Sequence, residues 1–190
     1  MAFSYILIIL LVMSTTNSPI DTNSLDFDFG NTNQKTRSWG SVNDGVMGGR
    51  STGNTSYSEN SIVFEGSISF ANNGGFASVR CPYQDFDLSK YKQVRIRYRA
   101  AGQTFALSLN TSRRFYLPNF RVYLPKSENE NEWIDQVIPL GAFKQHRMGN
   151  PTGYGISKEV LDSVIQMTFI SSDKKEGPFR LEIDFLRFEV

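Results

Sequence analysis

The sequence predicts an all-β domain, a two-sheet sandwich of jelly-roll type with at most one or two short helices, and three observations carry that reading. From Leu25 onward, apolar and polar residues alternate with period 2 between clusters of Gly, Pro, Asn and Asp, as in short strands joined by turns. Aromatic residues make up 13% of the chain, 15 of them Phe and 8 Tyr, types that suit pleated, half-buried strands. Helical signal is confined to residues 157–163, where Ser157 is placed as an N-cap. Eight or so short strands with so little helix point away from a parallel α/β design. A length of 190 residues is one ordinary domain, large enough for a core without disulfide staples.

Taken in order, residues 5–13 form an apolar run of signal-peptide length, followed by small and polar residues 14–18 where a peptidase would cut. Residues 1–18 are therefore read as an export signal and residues 25–190 as a single sandwich domain. The run is too short to span a bilayer, so no stable membrane span is expected. No Lys or Arg precedes Lys35, unlike an Arg-rich matrix presequence. The expected location is the secretory route or the exterior, with the mitochondrion as the alternative.

Asp26-Phe27-Asp28-Phe29-Gly30 reads as a strand with both Phe inward and both carboxylates outward; a calcium loop would need a Glu where Arg37 stands. Residues 31–38 and 127–132 are read as loops. Ile62, Phe64, Gly66 and Ile68 mark a strand, and so do Phe105, Leu107 and Leu109 against Thr104, Ser108 and Asn110. Val94, Ile96 and Tyr98 face one way and Arg95, Arg97 and Arg99 the other, the cations paired across strands with outward carboxylates such as Glu182 and Asp184. In the C-terminal run the apolar positions Phe179, Leu181, Ile183 and Phe185 change parity to Leu186, Phe188 and Val190. This predicts a β-bulge or bend between Phe185 and Leu186.

Chemistry is sparse. Lys and Arg number 20 against 19 Asp and Glu, a net charge of +1 that gives no field for nucleic acid. With one Cys and one His, neither a disulfide within the chain nor a Cys/His zinc site can form, and no metal or cofactor is expected. Cys81 is read as a small buried apolar residue and His146 as a surface side chain in the loop of residues 144–149. Gly49-Arg50-Ser51-Thr52-Gly53 fits the G-x-S-x-G pattern of a nucleophile elbow, but no helical periodicity follows it, so no catalytic residue is assigned. Asn54 and Asn110 begin N-glycosylation sequons.

Two longer motifs remain: Trp39 with Val42-Asn43-Asp44-Gly45-Val46-Met47-Gly48-Gly49 and Ser51, and Asn72-Asn73-Gly74-Gly75-Phe76-Ala77-Ser78-Val79-Arg80. They resemble the complex I intermediate-associated protein 30 family. Trp133, Pro139-Leu140 and Phe143, then Asp173 and the segment from Gly177 to Asp184, extend the resemblance over residues 25–190. It implies a galactose-binding-like jelly roll and a non-enzymatic module of the assembly-factor or chaperone type. The implied partner is a protein, respiratory complex I intermediates if the chain is mitochondrial. The motif loops nominate Trp39, Asn43, Asp44, Met47, Asn73 and Phe76 as binding residues. Their Asn-Asp-Gly and Asn-Gly-Gly runs tolerate the positive φ of tight turns, beside large apolar anchors. The alternative is a secreted carbohydrate-binding sandwich, with Tyr83, Tyr123, Trp133 and Tyr154 available to stack on sugar rings.

Overall fold

A computed structural model describes residues 25–30, 38–126, 129, 132–171 and 173–190. The expected export signal, most of the first expected loop and part of the second lie outside the described residues. The strands are β1 (Leu25–Asp28), β2 (Gly40–Asn43), β3 (Thr52–Tyr57), β4 (Ile62–Ile68), β5 (Ala77–Arg80), β6 (Gln93–Ala101) and β7 (Phe105–Asn110), then β8 (Asn119–Tyr123), β9 (Ile134–Pro139), β10 (Lys144–Arg147), β11 (Asn150–Gly155), β12 (Gln166–Ser171) and β13 (Gly177–Glu189). The α-helix α1 (Lys158–Asp162) follows Ser157, whose hydroxyl accepts the Val160 N–H as the capping signal predicts.

Two antiparallel sheets form the sandwich. One has the order β3-β4-β13-β6-β9, with β1 also on β13; the other has the order β11-β10-β8-β7-β12-β5-β2. β13 holds the first sheet together. β4 pairs with residues 177–183 of its one edge and β1 with residues 185–188, while β6 runs along the other edge. A bulge separates the two halves, because Ile183 pairs with Tyr98 and Phe185 with Arg97, leaving Asp184 as the extra residue. The parity change is thus real but begins before Phe185, one step upstream of the expected place. Phe185 misleads the count: it is apolar but faces outward, roofed by Arg187 at 4.1 Å and Arg95 at 5.9 Å from its ring centre.

Between the sheets, apolar residues alternate inward as the period-2 pattern requires. Phe64 and Phe179 from the first sheet lie 4.9 Å apart and pack on Phe105 from the second at 6.3 and 5.8 Å between ring centres. Trp39 lies in the core and joins the two layers, its ring 5.7 Å from Phe27, 5.5 Å from Phe29 and 5.7 Å from Phe169. Cys81 is buried as expected, and burial pushes its thiol pKa up to about 11, so it stays protonated at neutral pH.

The first sheet's outer face is covered with ion pairs. Arg97 meets Asp184 at 2.7 Å and Arg99 meets Glu182 at 2.8 Å, the partners the alternation suggested. Arg95 pairs with Asp135, Arg180 with Glu65 and Glu182, and Arg187 with Asp26 and Asp28. Trp133 is enclosed in this lattice, with Arg97 and Arg99 at 5.0 and 4.8 Å from its ring. Among the described residues no helix is long and apolar enough to cross a membrane.

Candidate functional site

The two motif loops meet on one carboxylate. Asp44 follows β2 and opens the 3-10 turn Asp44–Met47, where the chain leaves the sheet, and it is only 2% exposed. Its Oδ2 accepts the Ser51 hydroxyl at 2.5 Å, the Gly75 N–H at 2.6 Å and the Phe76 N–H at 3.2 Å, while Oδ1 accepts the Ser51 N–H at 2.9 Å. Burial pushes the Asp44 pKa up, but hydrogen bonds from Ser51, Gly75 and Phe76 more than offset it, and the value falls below the ordinary one. The glycines allow this approach: a Cβ on Gly49 would overlap the Asp44 carboxyl, and one on Gly74 would lie 2.6 Å from Oδ2.

This knot accounts for the motif residue by residue. Asn43 donates to the Gly53 carbonyl at 3.0 Å, tying β2 to β3. Phe76 contributes backbone groups to Asp44, and Asn73 is exposed in the left-handed region with φ 58°. Trp39 belongs to the core. Met47 projects from the turn, 63% exposed, beside Val46 at 74%. Ser51 is fully engaged, accepting the Ser69 N–H at 3.0 Å while donating to Asp44. His146 lies on β10, five strand spacings or about 24 Å from β2, so the histidine of a Ser-His arrangement does not stand beside Ser51.

A second place was not nominated from sequence: the outer face of the seven-stranded sheet. Register aligns Gly40, Arg80, Thr168, Ser108, Arg121 and Lys144 in one row across six strands. A parallel row holds Gln166, Asn110, Asn119 and His146, and another holds Val42, Ser78, Ile170, Ala106 and Tyr123. Alternate residues such as Val79, Leu107, Leu109 and Phe169 fill the core. The face is recessed, since Ser78, Ser108, Gln166, Thr168 and His146 are all buried although they point away from the core. The half-buried strand expected at Phe105 therefore has both faces buried.

The floor of this recess is a hydrogen-bonded set. Asn110 donates to the Thr168 hydroxyl at 2.9 Å and accepts from Ser108 at 3.2 Å. The Arg80 Nε donates to Ser78 at 2.9 Å and the Arg121 Nε to Asn119 at 2.8 Å. Burial pulls the pKa of both guanidiniums down, and Arg80 adds to the effect on Arg121. His146 corrects the expectation of a surface loop residue: it is buried in a strand, its Nδ1 faces the Lys144 carbonyl at 2.9 Å and its Nε2 the Tyr123 hydroxyl at 3.1 Å. The carbonyl calls for a proton on Nδ1, so Nε2 accepts from Tyr123 and fixes that ring at the rim. Across the recess Tyr83 is exposed with Arg113 4.6 Å above its ring; Tyr154 stands apart, exposed on edge strand β11.

None of the seven strands carries Asp or Glu, whereas four basic residues, Arg80, Arg121, Lys144 and Arg147, lie on them. Besides Tyr123, named from sequence as a ring for sugar stacking, that absence was the signal in the sequence that marked this face. Among the described residues, no group of three or more His, Cys, Asp or Glu is placed to hold a metal ion.

Comparison with known proteins agrees with this architecture. The model of the family "Complex I intermediate-associated protein 30 (CIA30)" matches residues 27–183. No curated protein matches the chain. Among solved structures, the chain is similar to the family 11 carbohydrate-binding module of the cellulosomal cellulase Lic26A-Cel5E of Clostridium thermocellum, with a TM-score of 0.55 and 16% identity over 80% of this chain and 87% of that one. The Clostridium thermocellum family 11 module in complex with a β-1,3-1,4-mixed-linked tetrasaccharide gives a TM-score of 0.54 at 16% identity, covering 80% of this chain and 88% of that one. An agarase, AgWH50C, gives 0.54 at 12% identity over 88% of this chain, but only 24% of the agarase is covered. At such identities the likeness is one of fold, the jelly-roll sandwich.

Proposed function

We propose that this chain, which belongs to the complex I intermediate-associated protein 30 family, is a binding module that takes a carbohydrate on the recessed face of its seven-stranded sheet. The observation that carries the reading is the aligned polar floor. Arg80, Ser108, Asn110, Arg121, Gln166 and Thr168 offer donors and acceptors at adjacent register positions, and Tyr123 stands rigidly at the rim. Vicinal sugar hydroxyls need such a set of fixed, alternating partners, and a sugar's apolar face stacks on an aromatic ring. Within the same fold, one similar module has been solved with a bound tetrasaccharide.

The test is a glycan array, neutral and acidic sugars together, followed by calorimetry with the full chain. Asn110→Ala and Tyr123→Ala should each weaken binding about tenfold, the loss of roughly one good hydrogen bond or stacking contact, and Tyr154→Ala should not. Silence across the whole array would sink the reading.

A second reading, protein contact of the assembly-factor type, draws on the family name and on Val46 and Met47. These two apolar side chains stand exposed on a turn that the Asp44 knot holds rigid. Met47→Glu should then abolish capture of complex I intermediates while leaving glycan binding intact. Residues 1–18 are proposed as an export signal, and fractionation of the native protein decides between the readings. An extracellular location removes the complex I partner, and a matrix location restores it.

A further inference from the structure

We infer that the ligand of the recessed face is anionic, an acidic glycan whose charged groups seat against Arg80 and Arg121. This rests on the carbohydrate reading and adds the ligand's charge to it. The five arginines on the strands of the first sheet each meet a carboxylate. Arg80 and Arg121 do not: among the described residues each is anchored only through Nε to a neutral oxygen, and Nη1 and Nη2 have no protein partner. A half-buried guanidinium without a counter-charge carries a desolvation cost that the fold leaves uncompensated. Here two of them sit in one row, separated by Thr168 and Ser108 and so by three strand spacings, about 14 Å between backbones.

Anchoring through Nε has a geometric result. It fixes each planar fork in place and leaves its terminal N–H pair free, the arrangement that receives a carboxylate or sulfate bidentately. Lys144 extends the row on the far side of Arg121. A peptide of Asp or Glu would satisfy the charges too, but the floor between the two arginines is made of hydroxyl and amide groups that match sugar hydroxyls. The glycan is therefore favoured over an acidic protein segment.

The experiment titrates the full chain with four probes of matched length: an oligogalacturonate, a sulfated oligosaccharide, a neutral mixed-linked oligosaccharide and oligoglutamate. Oligogalacturonate or the sulfated sugar should bind, and Arg80→Gln and Arg121→Gln should each weaken that binding about tenfold, as expected for loss of a charge-assisted pair. Arg95→Gln, on the ion-paired face, should leave it unchanged, and thermal unfolding confirms that each variant is folded. Tight binding of the neutral sugar, indifferent to both arginines, overturns the anionic ligand and leaves the carbohydrate reading standing. Binding of oligoglutamate alone, or of no probe, overturns both.

Discussion

The two outer faces of the sandwich use arginine in opposite ways. On the first sheet, Arg95, Arg97, Arg99, Arg180 and Arg187 interleave with Asp26, Asp28, Glu65, Asp135, Glu182 and Asp184, so the charges are closed within the molecule. On the second, Arg80 and Arg121 rest on neutral side chains with no acid on any neighbouring strand. A face whose charges cancel has little left for a ligand to satisfy; one whose charges are open does. The overall charge of +1 hides this division, because the excess cations of one sheet offset the excess carboxylates of the other.

The contrast can be broken most severely at the buried carboxylates. Asp44→Ala leaves the Gly75, Phe76 and Ser51 N–H groups without their acceptor, and we expect a loss of about 4 kcal/mol in chemical denaturation. Glu182→Gln should cost somewhat less, about 3 kcal/mol, because Arg99 and Ser61 keep a neutral acceptor while the shared charge goes. Burial raises the pKa of Glu182, but Ser61, Arg99 and Arg180 pull it below its ordinary value, and Asp44 is lowered too. Stability from both groups is then fully present above the ordinary carboxylate range, near 4, and is lost as pH falls through the lower folded values. Denaturation curves at pH 7 and pH 3 should differ less in the Asp44→Asn/Glu182→Gln double variant than in the parent; an equal difference would remove both groups from the account.

Smaller effects sharpen the comparison. Arg95→Gln breaks an exposed pair with Asp135 and should change stability by less than about 1 kcal/mol, measured as a small shift in midpoint. Arg80→Met and Arg121→Met should have the smallest effect, within about 0.5 kcal/mol of the parent or slightly stabilising, since no ion pair is lost and a desolvated charge is relieved. A destabilisation matching that of Glu182→Gln would make these arginines structural.

Much of the fold was legible because its signals are local. The alternation around Val94 and Arg95 sets both the inward face and the ion-paired one, and Ser157 announces a helix of a single turn. The bulge was legible in kind but misplaced, because an apolar side chain under two guanidiniums looks like a core residue in a one-dimensional pattern. The recessed face was illegible for a different reason. Its residues come from strands spread between Gly40 and Ile170, and only the register between strands puts Arg80, Thr168, Ser108 and Arg121 in line. His146 was misread because the neighbouring Lys144, Arg147 and Gly149 resemble a turn, whereas its own ring is taken up by Tyr123.

β13 has a consequence for how the molecule comes to be made. Among the described residues it is the last strand in sequence order, yet β1, the first, pairs with no other strand, and β4 and β6 meet only across it. During synthesis the early strands therefore wait, unpaired along that edge, until residues 177–189 have emerged. The first sheet closes only once β13 is present, and such long-range pairing is intrinsically slow to form.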